Sequence, residues 1–171
     1  GIRVKAFDKN SQQLHFLKEE ITRTNLIIKK LYNTKINFKN LEIVDSIEEA
    51  VKNADLIQEN VPERLTLKKD VIKNISKYSP SNSIIASSSS GLLPSDLQSK
   101  CINPKRLIIA HPFNPVYILP LVEIVKGKKT TNLYLNKAKK FYQKIKMKTL
   151  LVEKELPGFL SDRLQEALWR E

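Results

Sequence analysis

A histidine, His111, follows the apolar run Arg106 to Ala110 and is framed by two prolines, Pro112 and Pro115; twelve residues on, Glu123 lies inside a second apolar run, Leu-Val-Glu-Ile-Val. A carboxylate among such neighbours needs a partner, because a lone buried charge is costly, and His111 is the obvious one. An imidazole fixed in one tautomer by an acid, with its other nitrogen turned to a substrate hydroxyl, makes a general base and its orienter. A histidine hydrogen-bonded beneath a loop is the structural alternative. The strand-end position, the proline frame and the enclosed acid favour the catalytic pair.

Two further constellations carry chemistry. Asp8 closes the short alternating segment Ile2 to Phe7, where a dinucleotide fold places an acid to accept hydrogen bonds from ribose hydroxyls; a turn-forming aspartate is the plainer reading. The matching glycine-rich loop would stand about 20 residues earlier. The four glycines of the chain, Gly1, Gly91, Gly127 and Gly158, do not form one, so the chain is expected to lack the first strand and the phosphate cradle. The run Ser87 to Gly91 reads as a polar loop after a strand; it lacks the Gly-x-Ser-x-Gly glycines of a nucleophile elbow.

The elements that position these residues follow from periodicity. Ser11 to about Asn33 carries Leu14, Leu17, Ile21, Ile28 and Leu31 at helical steps, with Ser11 as the expected cap. His15 on that helix reads as a surface histidine. Leu41 to Val44, Ala54 to Gln58, Ser83 to Ala86, Arg106 to Ala110, Leu121 to Val125 and Leu150 to Val152 read as strands. Ser46 to Lys52, Arg64 to Tyr78, Pro94 to Lys100 and Thr131 to Ile145 read as helices. This alternation implies crossover connections and an α/β, Rossmann-type, doubly wound, mainly parallel sheet. Ligands of such sheets lie beyond the strands' carboxyl ends, near the switch in strand order. That places chemistry at Asp8, Glu59 to Glu63, Ser87 to Ser90 and His111 to Asn114. The character changes at Pro157-Gly158, so residues 1–154 are expected to form the first domain and 155–171 to begin a second, helical one.

Composition narrows the class. The formal charge is +12 and the isoelectric point near 9.7, but the lysines, among them Lys29, Lys30, Lys68, Lys69, Lys73, Lys77, Lys137, Lys139 and Lys140, are spread over every long helix as on solvated faces. No basic run interleaves with stacking aromatics, which argues against nucleic acid as a partner. With one cysteine, Cys101, and two histidines, His15 and His111, neither a disulfide framework nor a metal centre is expected. No run approaches the roughly 20 apolar residues that span a bilayer, so no membrane partner is expected and the cytoplasm is the expected location.

Taken together, Asp8, Glu-Asn-Val-Pro-Glu-Arg at 59–64, Ser-Ser-Ser-Ser-Gly, His-Pro-Phe-Asn-Pro, Leu-Val-Glu-Ile-Val and Pro-Gly-Phe-Leu-Ser-Asp-Arg, in this order and spacing, resemble the 3-hydroxyacyl-CoA dehydrogenase superfamily over essentially the whole chain. Within it, the chain is most similar to the L-carnitine dehydrogenase branch and next to the L-gulonate 3-dehydrogenases, which include lambda-crystallin. Acyl-CoA members usually carry a second aromatic where Pro112 stands and an asparagine where Ser88 stands, and the family often has an Asn-Arg pair where Asp162-Arg163 stands. The resemblance implies an NAD-dependent oxidation of the 3-hydroxyl of a small hydroxy acid, with a crystallin-like structural role as the nonenzymatic alternative. It implies a catalytic dyad of His111 and Glu123, with Ser90, twenty-one residues before His111, touching both nicotinamide and the substrate oxygen. It also implies that Asp8 binds the adenine ribose of NAD, that Val61, Pro62 and Glu63 line the nicotinamide-side ribose, that Lys68 adds a polar contact, and that Asn114 supports substrate and cofactor. Tyr117 and Trp169 are candidates for an aromatic face towards a quaternary ammonium, with packing as the simpler role of both. A homodimer through the C-terminal domain is the implied assembly.

Overall fold

The computed structural model describes residues 2–34 and 36–171, which fall into two compact units, one up to Lys52 and one from Asn53 to Glu171. In the first unit, β1 (Val4–Ala6) pairs in parallel with β2 (Leu41–Ile43), Val4 opposite Leu41. Between them runs α1 (Ser11–Tyr32). The helix starts one residue earlier than expected, because Asn10 is the cap and its side chain accepts the Gln12 N–H. It stops at Asn33, whose φ of 48° is the left-handed turn that closes many helices. A short helix, α2 (Ile47–Val51), follows, and there the Ser46 hydroxyl accepts the Glu49 N–H at 3.1 Å.

The second unit is a five-stranded sheet in the order β3 (Leu56–Glu59), β4 (Ile84–Ser87), β5 (Leu107–Pro112), β6 (Leu121–Lys126), β7 (Lys148–Val152). All neighbours are parallel except β5 and β6. The exception has a geometric cause: a parallel return needs a crossover of about a dozen residues or more, and only residues 113–120 separate these two strands. The strand order within this unit runs in sequence without reversal, so the switch point expected beside the site does not fall inside it.

Helices cover both faces, which is why β4 and the first four residues of β5 are continuous buried runs rather than alternating ones. On one face Ile84, Ala86, Ile108, Ala110, Val122 and Ile124 pack with Leu135, Ala138 and Tyr142 of α5 (Asn132–Lys144). On the other, α3 (Leu65–Tyr78) lies against β4, and α4 (Pro94–Leu97) against β5. The last helix, α6 (Ser161–Trp169), clusters with this second unit. Trp169 on it is 76% exposed rather than packed. Among the described residues no helix is long and apolar enough to cross a membrane.

The strand ends differ from the sequence expectation by one or two residues at most positions, and two of the differences matter for the site. β3 runs through Glu59, and β5 runs through His111 and Pro112, so these two ionisable residues belong to the sheet and not to the loops after it.

Candidate active site

Antiparallel pairing of β5 with β6 sets His111 directly opposite Glu123. Residues opposite one another project to the same face of a sheet, and the His111 Nδ1 atom lies 3.6 Å from Glu123 Oε2. That is an ion-pair distance just beyond hydrogen-bond reach, and Nδ1 is buried with no hydrogen-bond partner among the described residues. The imidazole keeps 16% of its surface exposed, while the Glu123 side chain has none. Phe113 and Phe159 flank the ring with centroids 5.4 and 6.3 Å away.

The carboxylate that faces His111 is itself held from elsewhere. Its Oε1 accepts the Leu160 N–H at 2.7 Å and its Oε2 the Ser161 hydroxyl at 2.6 Å. Burial pushes the Glu123 carboxyl up, but these donors and the nearby imidazole outweigh it and leave the group below the ordinary 4.5. The sequence reading did not find Leu160 or Ser161, since a backbone N–H has no sequence signature and a lone serine at a helix start reads as a cap.

A second cluster joins the ends of β3 and β4. Lys68 on α3 is 1% exposed, its ammonium 2.9 Å from Glu59 Oε1, 2.8 Å from the Val61 carbonyl and 3.5 Å from Glu63 Oε2. Glu59 also accepts the Val61 N–H at 2.6 Å and the Ser87 hydroxyl at 2.5 Å. A buried ion pair survives only when its remaining donors and acceptors are matched in this way. Lys68, read from sequence as one of the solvated lysines, is therefore a buried clamp whose three protons face three oxygens. Glu63 accepts the Ser89 hydroxyl and the N–H groups of Gly91 and Leu92, at 3.2 and 3.3 Å. Burial raises its carboxyl, but those bonds and the Lys68 charge bring it below the ordinary 4.5. The loops at 60–64 and 87–92 are thus tied to each other by paired acids, and Glu59, Ser87 and Ser89, expected only as members of the spans after β3 and β4 and given no individual role, make those ties.

The remaining expected residues are placed as follows. Ser90 is half-buried, and among the described residues its hydroxyl takes no part in the bonds that hold this loop. Val61 is half-buried and Pro62 exposed at the mouth of the same loop pair. Asn114 is exposed in the β5–β6 loop, ahead of a cis bond to Pro115. Asp8 belongs to the first unit; it is exposed, and its Oδ1 accepts the Asn10 N–H at 2.8 Å, the turn-forming role. His15 is a surface residue, 75% exposed, 3.3 Å from Glu19.

Each unit by itself offers groups that fit part of a dinucleotide. In the first, an exposed carboxylate at the end of a parallel strand suits a ribose diol; in the second, the tied loops after β3 and β4 present half-buried and exposed groups at the carboxyl ends of adjacent parallel strands, where such ligands bind. Among the described residues no cluster of His, Cys, Asp or Glu could hold a metal ion.

The chain is 59% identical over 77% of its length to the L-carnitine dehydrogenase of Oceanobacillus iheyensis, and 46% identical over its full length to the L-carnitine dehydrogenase/betainyl-CoA thioesterase of Rhizobium sp. It spans 43% and 35% of those two proteins, well under half of each. A solved diketoreductase, described as performing substrate-directed dual catalysis of dicarbonyl compounds, matches 98% of this chain and 62% of its own with 28% identity and a TM-score of 0.91. The profile of the 3-hydroxyacyl-CoA dehydrogenase NAD-binding domain matches residues 1–156, and by that match the chain belongs to the 3-hydroxyacyl-CoA dehydrogenase family.

Proposed function

We propose that the full-length protein oxidises the 3-hydroxyl of a small hydroxy acid with NAD, and that the hydroxy acid is L-carnitine. The observation that carries this reading is the cross-strand pair His111 and Glu123, an imidazole 3.6 Å from a fully enclosed carboxylate. His111 takes the proton of the substrate hydroxyl, and Glu123 orients the ring and stabilises the imidazolium that forms. Acceptance of the hydride is the chemistry that NAD supplies when bound. Asp8 would hold the adenine ribose; the Val61, Pro62 and Glu63 loop would line the second ribose, with Lys68 acting through that loop. Ser90 and Asn114 would contact substrate and cofactor.

The choice of L-carnitine rests on the relatives that bear that name at 59% and 46% identity, and on Pro112 and Ser88 standing where acyl-CoA members differ. A 3-hydroxyacyl-CoA is the second reading, favoured by the family's own description. Residues 155–171 begin a helical domain that completes the substrate site and forms a homodimer, and the protein works in the cytoplasm.

The test is NADH formation from L-carnitine, L-gulonate and a 3-hydroxyacyl-CoA, run in parallel on the full-length protein. Turnover of L-carnitine well above the other two is expected. Faster oxidation of the CoA thioester would replace the substrate assignment, and no NADH from any of the three would remove the enzyme reading.

A further inference from the structure

The segment Pro157 to Ser161 has a backbone that needs explaining. Gly158 and Phe159 both have positive φ, 70° and 49°. For glycine this is ordinary, but a bulky side chain in that region is an outlier that persists only where its surroundings enforce it. Phe159 is enforced: it is fully buried and one of the two rings beside His111. The consequence of the double left-handed turn is aim. It delivers the Leu160 N–H to Glu123 Oε1 and the Ser161 hydroxyl to Glu123 Oε2, the same oxygen that lies 3.6 Å from His111 Nδ1.

Ser161 and His111 therefore address the same oxygen, and Ser161 bonds it at 2.6 Å while the imidazole stands at 3.6 Å. We infer that Ser161 is a positioning residue for the dyad: its hydroxyl occupies the Glu123 oxygen that faces His111 and so limits how strongly the carboxylate can grip an imidazolium. This rests on the proposed role of His111 as the base. Among the described residues, the elements beside the ring carry the following charged groups. β6 contributes Glu123, the first turn of α6 carries Asp162 and Arg163, and β4, with the sequence Ile-Ile-Ala-Ser, contributes none.

The direction of the effect follows from hydrogen-bond competition. A hydroxyl that donates to a carboxylate stabilises its charge and weakens its hold on a second donor. Removing the hydroxyl frees Oε2 to bind the imidazolium, so a higher pH is needed to produce the neutral base. Removing the carboxylate does the opposite.

The experiment compares the full-length protein with its Ser161→Ala, Ser161→Thr, Glu123→Gln and His111→Ala variants. It uses pH–rate profiles of alcohol oxidation and proton NMR titration of the His111 ring, assigned by its loss in His111→Ala. Ser161→Ala should move the acid limb, and the ring titration with it, to higher pH by about 0.5 pH unit or more, with the high-pH plateau lowered far less than by His111→Ala. Ser161→Thr, which keeps the hydroxyl, should return the limb towards its original place, and Glu123→Gln should move it to lower pH. A Ser161→Ala limb that stays in place or moves to lower pH overturns the inference, since a merely structural serine would change thermal stability without shifting either titration. Near-normal turnover of His111→Ala would remove the base itself, whereas a silent Ser161→Ala beside a disabled His111→Ala removes this inference alone.

Discussion

Lys68 Nζ lies 2.9 Å from Glu59 Oε1 with both side chains closed off from solvent, and the pair ties α3 to the last residue of β3. Breaking such a pair from one side leaves an uncompensated buried charge, at a cost of about 3–5 kcal/mol. Lys68→Met and Glu59→Gln should each lower the unfolding free energy read from urea titration by that order in the full-length protein. The double variant should lose less than the sum of the singles, because neither charge is then stranded. Strictly additive losses would show that the pair is not an energetic unit.

The loops that this clamp joins carry the candidate cofactor contacts, so Lys68→Met should also raise the KM for NAD more than it lowers kcat. Steady-state kinetics at a temperature where the variant stays folded would show it. An unchanged KM for NAD would confine Lys68 to stability.

His111→Ala in the full-length protein should cut turnover by about two to four orders of magnitude, the usual contribution of a general base, with NAD affinity by fluorescence titration little changed. Near-normal turnover would end the assignment of His111 as base.

Parts of this arrangement were legible in the sequence for definite reasons. A carboxylate inside Leu-Val-Glu-Ile-Val demands a partner, and the eight-residue link that follows Pro112 forces the antiparallel return that puts His111 opposite it. Lys68 is not the solvated lysine that its charge suggests, and position carries the signal: Lys68, Ile72 and Ile75 stand at helical steps of four and three, on the stripe that α3 buries. The cap at Asn10 rather than Ser11 was beyond reach, since both residue types cap equally well. Leu160 and Ser161 were hidden because their contact with Glu123 depends on a left-handed Phe159, which no local propensity would propose.

Acid stability should report the depressed carboxyls of the candidate site. Glu123 and Glu63 are both held below the ordinary 4.5, so folding favours their ionised forms. The stabilisation is complete above the ordinary carboxylate value and is lost as pH falls through the lower folded-state values. Urea midpoints measured from pH 7 downwards should hold until about pH 5 and then decline. Glu123→Gln should start lower at pH 7 and decline less steeply. An equal decline in the variant would show that Glu123 does not contribute to the acid limb of stability.

Gly127, at the end of β6, tests packing remote from the chemistry. A Cβ there would stand 2.8 Å from Gln98 Oε1 and 2.9 Å from Gln98 Nε2. A flexible side chain could usually step aside, but Gln98 is 2% exposed and pinned at both ends of its amide. Its Nε2 donates to the Pro104 carbonyl at 2.9 Å and to Thr130 Oγ1 at 3.0 Å, and its Oε1 accepts the Lys129 N–H at 3.1 Å. Moving it would strand buried polar groups, so Gly127→Ala should cost about 1–3 kcal/mol, the range of overpacked sites. Because the obstacle is the Gln98 amide, shortening that residue should relieve it: Gly127→Ala with Gln98→Ala should be less destabilised than the two single losses sum to, by chemical denaturation. A neutral Gly127→Ala would show that Gln98 can give way at no cost.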